Sequence, residues 1–226
     1  MPHLARADGR RPRSAVGFTV KSGWAAAVLL TGSPASPRLA DSRRIDLSDP
    51  AIPESRQPYH AGFGTARDGG PELTRLVASV RRFGRRSVRG LVEVYATRER
   101  PVTAAGLVVG SLIDPNRVAN QHIRIHALAG QLFREVVEQT LTASRLPCSI
   151  WRERDLYGAS ADVLGRPESQ VRSTVAALGR DIDGPWRAEQ KAAALLPGSC
   201  WRHVGVDRQR SDGSIVPDRE RDRVLT

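Results

Sequence analysis

Two histidines four residues apart, His122 and His126, are the first candidates for chemistry in this sequence. On a helix they would share one face, and this spacing suits two ligands of a metal ion. Neither an HExxH motif nor a cysteine pair accompanies them, so we assign no metal ligand. The alternative for His126, which falls among apolar residues, is a histidine packed in the core.

Two other groups of residues predict anion binding. The turn Lys21-Ser22-Gly23 offers backbone amides and a cation to a phosphate, but it lacks the frame of a Walker motif, and a plain hairpin turn is the alternative. Arg56, Tyr59 and His60 lie in a long connection, and long loops in compact domains are usually functional or disordered. His60 would be the general acid or base of such a site.

For this second group, the alternative is a loop held over the sheet edge by its own aromatic residue and arginine. The predicted anion-binding or phosphate-binding residues are Lys21, Ser22, Arg56, Tyr59, His60, His122 and His126.

Arginine dominates the charge of the chain. The net charge is +11, and because only Lys21 and Lys191 are lysines, 33 of the 35 basic residues are arginines. Such a surplus favours a polyanion partner, although a compositional preference for arginine explains it as well. The predicted nucleic-acid face consists of Arg75, Arg82, Arg86 and Arg89, which share one side of a predicted helix. A solvated helix face is the alternative, and few aromatic residues interleave for base stacking.

The elements that position these residues begin with an apolar hairpin. Apolar runs on both sides of the turn at Lys21 predict two central antiparallel strands, and residues 38–47 predict a third. An export signal is the alternative for this stretch, but Lys21 interrupts its apolar run. After the connection at 49–70, helical spacing from Leu73 to Tyr95 predicts one long helix, with a break near Gly84 as the alternative.

The second half of the chain alternates strands and helices. Residues 102–109 predict a buried strand parallel to one already in the sheet. Four further elements follow: a helix from Ile123 to Leu141, a short strand at 148–151, a helix opened by Pro167 and a helical piece at 188–196.

The ends of the chain differ from its middle in composition. Residues 1–14 and 197–226 are charged and aperiodic, which predicts a disordered arm and tail around one domain at 15–196. No stretch approaches the ~18 uncharged apolar residues of a membrane span, and Cys148 and Cys200 are too few for a disulfide framework or a zinc site. We therefore expect a cytoplasmic protein without membrane association.

Three meandering strands followed by helix, strand, helix, strand and helix resemble the ribonuclease H-like superfamily over residues 15–196. The segment GFTVKSGWAAAVLL is similar to the glycine-containing first hairpin of its Holliday-junction-resolvase (RuvC-type) branch. The resemblance implies an α/β fold with a mixed sheet. It also implies clustered carboxylates that hold two divalent ions, the first of them in the middle of the first strand.

Those carboxylates are not matched. The first strand has Phe18-Thr19-Val20 at that place, and the strand at 102–109 has no carboxylate before Asp114, which lies beyond its end. Asp181, Asp183 and Glu189 lie in the last helical region, and nothing in the sequence singles one out. A non-catalytic member without a cofactor is therefore expected, with Mg²⁺ required only if the domain is a nuclease.

Three functional hypotheses remain. The first is a non-catalytic ribonuclease H-like domain whose basic surface contacts nucleic-acid phosphates without reading sequence. The second is an enzyme acting on a small phosphorylated or acidic substrate between Lys21, the Arg56–His60 loop and His122. The third is a protein–protein scaffold without a ligand.

Overall fold

The computed structural model of this protein describes residues 13–62, 65–67, 69–97, 102–180 and 182–196. The strands are β1 (Arg13–Lys21), β2 (Trp24–Ser33), β3 (Ser36–Asp46), β4 (Val102–Val109) and β5 (Cys148–Arg152). The helices are α1 (Gly70–Ala96), α2 (Gln121–Ala143), α3 (Leu156–Leu164) and α4 (Glu168–Leu178), and residues 188–196 form a further helix, α5.

The five strands form one mixed sheet in the order β3-β2-β1-β4-β5. β2 is antiparallel to β1 and to β3, whereas β4 is parallel to β1 and to β5. The apolar hairpin therefore lies inside the sheet, and β4 is parallel to a strand of that hairpin, as a helical crossover requires. This is the ribonuclease H-like arrangement that the element order implies, so the predicted fold class is confirmed.

Both faces of the sheet are covered, which explains why β1, β2 and β4 are nearly continuous apolar runs. On one face, Phe18 packs with residues of α1 and α2, including the buried Tyr95 and Phe133. On the other face, Val28 and Val108 pack with α3, α4 and α5. The result is a helix–sheet–helix sandwich with a separate apolar layer on each side.

α1 is one unbroken helix of 27 residues, because Gly84 serves packing and does not end it. Gly84 is buried, and a Cβ added there would lie 2.6 Å from Val136 Cγ1 of α2 and 3.2 Å from the carbonyl oxygen of Leu47. The absence of a side chain allows α1 and α2 to approach closely at this point. The alternative break near Gly84 is wrong.

Several predicted boundaries differ from the structure. β1 already includes Arg13 and Ser14, which the sequence places in the arm; the rest of that arm, the tail at 197–226 and Asp181 lie outside the described residues. α3 is a helix that the sequence analysis does not predict. In α2, Ile125 is buried and Ile123 is 50% exposed, so the buried face of the first turns does not include the predicted Ile123, whereas further along the helix Phe133, Val136, Val137 and Leu141 are buried. No helix in the described ranges is long and apolar enough to cross a membrane.

Candidate functional site

A groove along α1 gathers five arginine side chains. Five arginines from this helix line it together with Tyr59 from the preceding loop, and its volume is about 970 Å³. Leu73, Val77 and Ala78 give the groove an apolar side. The arginines of the groove are Arg81, Arg82, Arg85, Arg86 and Arg89.

Three of the four arginines predicted for a nucleic-acid face, Arg82, Arg86 and Arg89, line this groove. The fourth, Arg75, is exposed one to two turns earlier on α1 and is not part of the groove lining. Arg81 and Arg85 were missed. They lie four residues before Arg85 and Arg89 respectively, so the same helical spacing would have found them if the face had been drawn closer to Tyr59.

The charges in the groove are not neutralised by their neighbours. Within the described part of the chain, none of the five guanidinium groups forms an ion pair, and Arg85 Nη2 donates to the neutral Gln139 Oε1 at 3.3 Å. The carboxylate lining the groove is that of Glu93. Arg81–Arg85, Arg82–Arg86 and Arg85–Arg89 are like charges four residues apart, each of which costs the helix about 0.2–0.5 kcal/mol.

Tyr59 contributes to the wall of the groove. Its ring packs against the apolar layer formed with α1 and α2. Burial raises the pKa of the Tyr59 hydroxyl, and the nearby Arg81 charge partly opposes that rise. The phenol therefore stays neutral throughout the physiological range and offers a hydroxyl beside the guanidinium groups.

Arg67 donates several of the hydrogen bonds that hold the loop carrying Tyr59 and His60. Arg67 Nη1 donates to the carbonyl oxygens of Pro58 at 2.7 Å and His60 at 2.8 Å, and Arg67 Nη2 lies 3.2 Å from Glu72 Oε1. The structure thus supports the alternative of a loop held by its own arginine and aromatic residue. Arg56 packs over the β1–β2 turn that carries Lys21 and Ser22, because its Cγ lies 2.6 Å from the position that a Cβ of Gly23 would take.

All three histidines of the described residues meet where this loop touches the first turns of α2. His122 Nε2 and His126 Nε2 are 3.2 Å apart, and the His60 ring lies 5.1 Å from the His126 ring, centroid to centroid. Burial, followed by the charges of His126 and His122, lowers the pKa of His60. His126 is exposed, so the expectation of a core histidine is wrong.

Lys21 and Ser22 meet His126 at a smaller cavity, of about 290 Å³, at the carboxyl ends of β1 and β4. The ammonium of Lys21 is already engaged, since Nζ lies 3.0 Å from Glu153 Oε2. Four of the seven predicted anion-binding residues, Lys21, Ser22, His60 and His126, are thus on one side of the molecule, and His122 adjoins them. Tyr59 faces the arginine groove instead.

The centre of β1 does not fit a pair of magnesium ions. Thr19 is 1% exposed, and its Oγ1 donates to the backbone carbonyl oxygen of Glu189 at 2.8 Å. Its partner in register on β4 is Val108. A two-metal site needs charged oxygen ligands at these positions, whereas the chain provides a hydroxyl that is already used and an isopropyl group. Among the described residues, no group of three or more His, Cys, Asp or Glu side chains is placed to hold a metal ion.

No protein-family model and no curated protein matches this sequence. Solved structures with a similar fold include RuvC of Thermus thermophilus, at 14% identity and a TM-score of 0.45, covering 87% of this chain and 96% of that one. The same protein in complex with a Holliday junction substrate has 13% identity and a TM-score of 0.45, with the same coverage. The yeast mitochondrial Holliday junction resolvase Ydc2 has 8% identity and a TM-score of 0.44, covering 83% and 77%.

Proposed function

We propose that this protein is a non-catalytic ribonuclease H-like domain that binds nucleic acid through the phosphate backbone. The observation that carries the proposal is the arginine groove of α1, in which five guanidinium groups without an ion pair to any described residue line one concave surface. Guanidinium groups match phosphate oxygens in geometry and remain charged at every accessible pH.

The arrangement of the charges favours the hypothesis that this helix face binds a polyanion over the alternative that it is only exposed to solvent. The like-charged pairs on successive turns of α1 destabilise the free helix, and a row of phosphates would offset that repulsion. From Arg75 to Arg89 the helix rises about 21 Å, which is long enough to follow several consecutive phosphates of one strand. Only Tyr59 among the groove residues has an aromatic ring, so base stacking is a minor contribution.

The absence of catalysis in this proposal follows from β1 and β4. Thr19 is buried and hydrogen-bonded, and its neighbour in register on β4 is Val108, so these positions of the sheet lack the oxygen ligands that would hold metal ions to activate a water molecule. Binding without cleavage is the expected behaviour with or without Mg²⁺.

Fluorescence anisotropy tests the proposal directly. Single-stranded, duplex and branched DNA and an RNA duplex would be titrated at several salt concentrations, each with and without Mg²⁺. We expect the logarithm of the association constant to fall linearly with the logarithm of the salt concentration. The slope should be about −4.5 if all five arginines displace counterions. Salt-independent binding, or none, would refute the nucleic-acid function, and Mg²⁺-dependent cleavage would refute the non-catalytic part.

A second candidate function is supported by the cavity at the ends of β1 and β4. Lys21, Ser22 and His126 line it together, which suits a small phosphorylated or acidic substrate. Such a ligand would have to displace Glu153 from Lys21. Calorimetry with inorganic phosphate tests this candidate: binding that is lost in Lys21→Ala supports it, and undetectable binding to the wild-type protein refutes it.

A further inference from the structure

The cavity at the carboxyl ends of β1 and β4 has the hydrogen-bond donors of an anion site. Its volume is about 290 Å³, and none of the described residues that line it is an Asp or a Glu. Lys21 of β1 and Arg134 of α2 bring two cationic side chains to it, and Ser22 adds a hydroxyl. His126 lines the same cavity and can donate through a ring nitrogen. Cations and neutral donors without a carboxylate suit a phosphate group.

Both cations are accessible to a phosphate. Lys21 Nζ lies 3.0 Å from Glu153 Oε2, and the two side chains are 32% and 41% exposed. A pair exposed to this degree contributes little to stability, so a doubly charged phosphate can compete with the carboxylate for the ammonium. Arg134 is half-buried and forms no ion pair with a residue in the described parts of the chain.

Buried apolar residues bound the cavity on the side of the sheet. Val20, Val109 and Phe133 line it and are at most 7% exposed. Ile113 and Ile123 also line it, but they are 54% and 50% exposed, which places them at its mouth. A ligand can therefore enter past an apolar rim, but a continuous chain cannot leave through the sheet.

The histidine cluster connects this cavity with the arginine groove of α1. Tyr59 lines the groove, and the ring of the next residue, His60, lies 5.1 Å from the ring of His126, centroid to centroid. His126 in turn lines the cavity. The ring of His122 lies 4.6 Å from that of His126 and extends this polar surface. The groove and the cavity therefore adjoin on one side of the molecule, with imidazole groups between them.

We propose that a nucleic-acid strand bound in the α1 groove ends in this cavity, where Lys21, Ser22 and Arg134 bind its terminal phosphate. This inference rests on the nucleic-acid binding proposed above and specifies its substrate class, which is strands with a phosphomonoester at one end. A terminal phosphate carries about −1.5 to −2 charges near pH 7 and presents three acceptor oxygens. An internal phosphodiester carries one negative charge and continues into the chain on both sides, which a cavity bounded by the sheet does not allow.

The apolar rim has a role in the same site. Ile113 and Ile123 are two of the four large apolar side chains that are exposed among the described residues. At the mouth of the cavity they would pack against the sugar or the base that carries the terminal phosphate. That contact would remove apolar surface from water, which neither isoleucine does in the free protein.

The test uses the full-length protein and fluorescence anisotropy with oligonucleotides of one sequence. One pair is labelled at the 3′ end and differs only in a 5′-phosphate or a 5′-hydroxyl group. The other pair is labelled at the 5′ end and differs only in a 3′-phosphate or a 3′-hydroxyl group. Each pair is measured as a single strand and as a duplex at the same low salt concentration. Calorimetry with inorganic phosphate shows whether a free anion binds without a strand.

Three variants are compared with the wild type: Lys21→Ala, Arg134→Ala and the control Lys191→Ala. Lys191 is the other lysine of the chain and belongs to α5, which packs on the opposite face of the sheet. Its replacement changes the net charge by the same amount as Lys21→Ala and leaves the cavity intact. The replaced side chains are partly exposed, so all three variants should fold, and their melting temperatures check this.

We expect a terminal phosphate at one of the two ends to strengthen binding to the wild type by about tenfold or more, since a hydrogen bond to a charged group contributes about that factor. In Lys21→Ala and Arg134→Ala the affinities for the phosphate-ended and hydroxyl-ended strands should become nearly equal. Lys191→Ala should keep the ratio of the wild type.

Three results would overturn the inference. Equal affinities for phosphate and hydroxyl groups at both ends, with salt-dependent binding intact, would refute the terminal-phosphate site alone and leave the groove as the binding surface. A preference that persists in both Lys21→Ala and Arg134→Ala would place the phosphate elsewhere in the chain. Failure of every oligonucleotide to bind would refute the groove and the terminal-phosphate site together.

Discussion

Thr19 Oγ1 donates a hydrogen bond to the backbone carbonyl oxygen of Glu189 at 2.8 Å, joining the middle of β1 to α5. These two residues are 170 positions apart in the chain. Thr19 is 1% exposed, so the bond is shielded from water and helps to hold α5 against the sheet. Thr19 therefore has a structural role, at the position where the resemblance led us to expect a carboxylate.

Replacing Thr19 tests that role. Thr19→Val keeps the shape but leaves the Glu189 carbonyl without its donor, so we expect unfolding to become easier by about 1 kcal/mol, whereas Thr19→Ser should retain the bond. Thr19→Asp should destabilise by about 3–5 kcal/mol at neutral pH, because it buries a charge beside Val108.

The pH dependence of Thr19→Asp has a definite sign. Burial raises the pKa of a carboxyl group in the folded state, so the variant is most stable below the ordinary value of about 3.9 and loses stability as pH rises. Urea denaturation at several pH values measures this. If Thr19→Asp were as stable as the wild type at pH 7 and cleaved DNA with Mg²⁺, the centre of β1 would be a latent metal site, contrary to our account.

Gly84 and Gly90 on α1 form a matched pair. A Cβ at Gly84 would lie 2.6 Å from Val136 Cγ1, whereas a Cβ at Gly90 would meet no atom within 4 Å. Alanine gains about 1 kcal/mol of helix propensity at either position, but overpacking costs about 1–3 kcal/mol at the first. Thermal unfolding should show that Gly84→Ala destabilises the protein and Gly90→Ala stabilises it. If both variants changed the melting temperature in the same direction, the close approach of α1 and α2 at Gly84 would be contradicted.

Tyr95 joins the end of α1 to β3. Its ring is fully buried, and its hydroxyl donates to Asp41 Oδ2 at 2.6 Å. Tyr95→Phe should destabilise by about 1–2 kcal/mol, because the bond is to a carboxylate that keeps Arg43 as a partner. Tyr157→Phe is the control, since Tyr157 is half-buried and its ring should retain its contact with Arg172. Chemical denaturation measures the free energy of unfolding of both variants. An equal loss in the two would contradict the stabilising role of the Tyr95–Asp41 hydrogen bond.

Arg67 should control the order of the loop that carries Tyr59 and His60. Arg67→Ala removes the donor to the carbonyl oxygens of Pro58 and His60, so amide hydrogen exchange at residues 57–62 should accelerate. Exchange in α2 and in the sheet should change little, because the loop is peripheral to both apolar layers. Unchanged exchange in the loop would show that other contacts hold it.

The sequence predicts those elements of the fold in which the apolar residues of the sequence are also the buried residues of the structure. The strand at 102–109 is predicted with the observed bounds because its last six residues are buried and its sequence is a nearly continuous apolar run. α3 was missed because a helix of nine residues that buries only Leu156 and Ser160 leaves no periodic signal. In α2, the sequence could not show whether Ile123 or Ile125 faces the sheet, since both fit an apolar stripe.

In the candidate sites, too, the sequence predicts local spacing but not contacts between distant segments of the chain. The spacing of His122 and His126 is local, so the sequence could place both on one face of a helix. The approach of His60 depends on the hydrogen bonds of Arg67, a contact within a loop whose path no periodicity reveals. The arginine face was found from helical spacing, but Arg81 and Arg85 were missed because Tyr59, from another part of the chain, determines which side of α1 becomes concave.

The most direct test of the central claim compares two charge reversals of equal size. Arg82→Glu/Arg86→Glu alters the groove, and Arg166→Glu/Arg180→Glu alters the two arginines that flank α4, a helix on the other side of the sheet. Both double variants change the net charge by the same amount. Anisotropy with duplex DNA at several salt concentrations therefore distinguishes the contribution of the groove to binding from that of the overall charge. We predict that the groove variant loses most of its affinity and that its salt slope becomes shallower by about 2, while the control stays close to the wild type. Equal losses in both variants would contradict a specific role for the α1 groove.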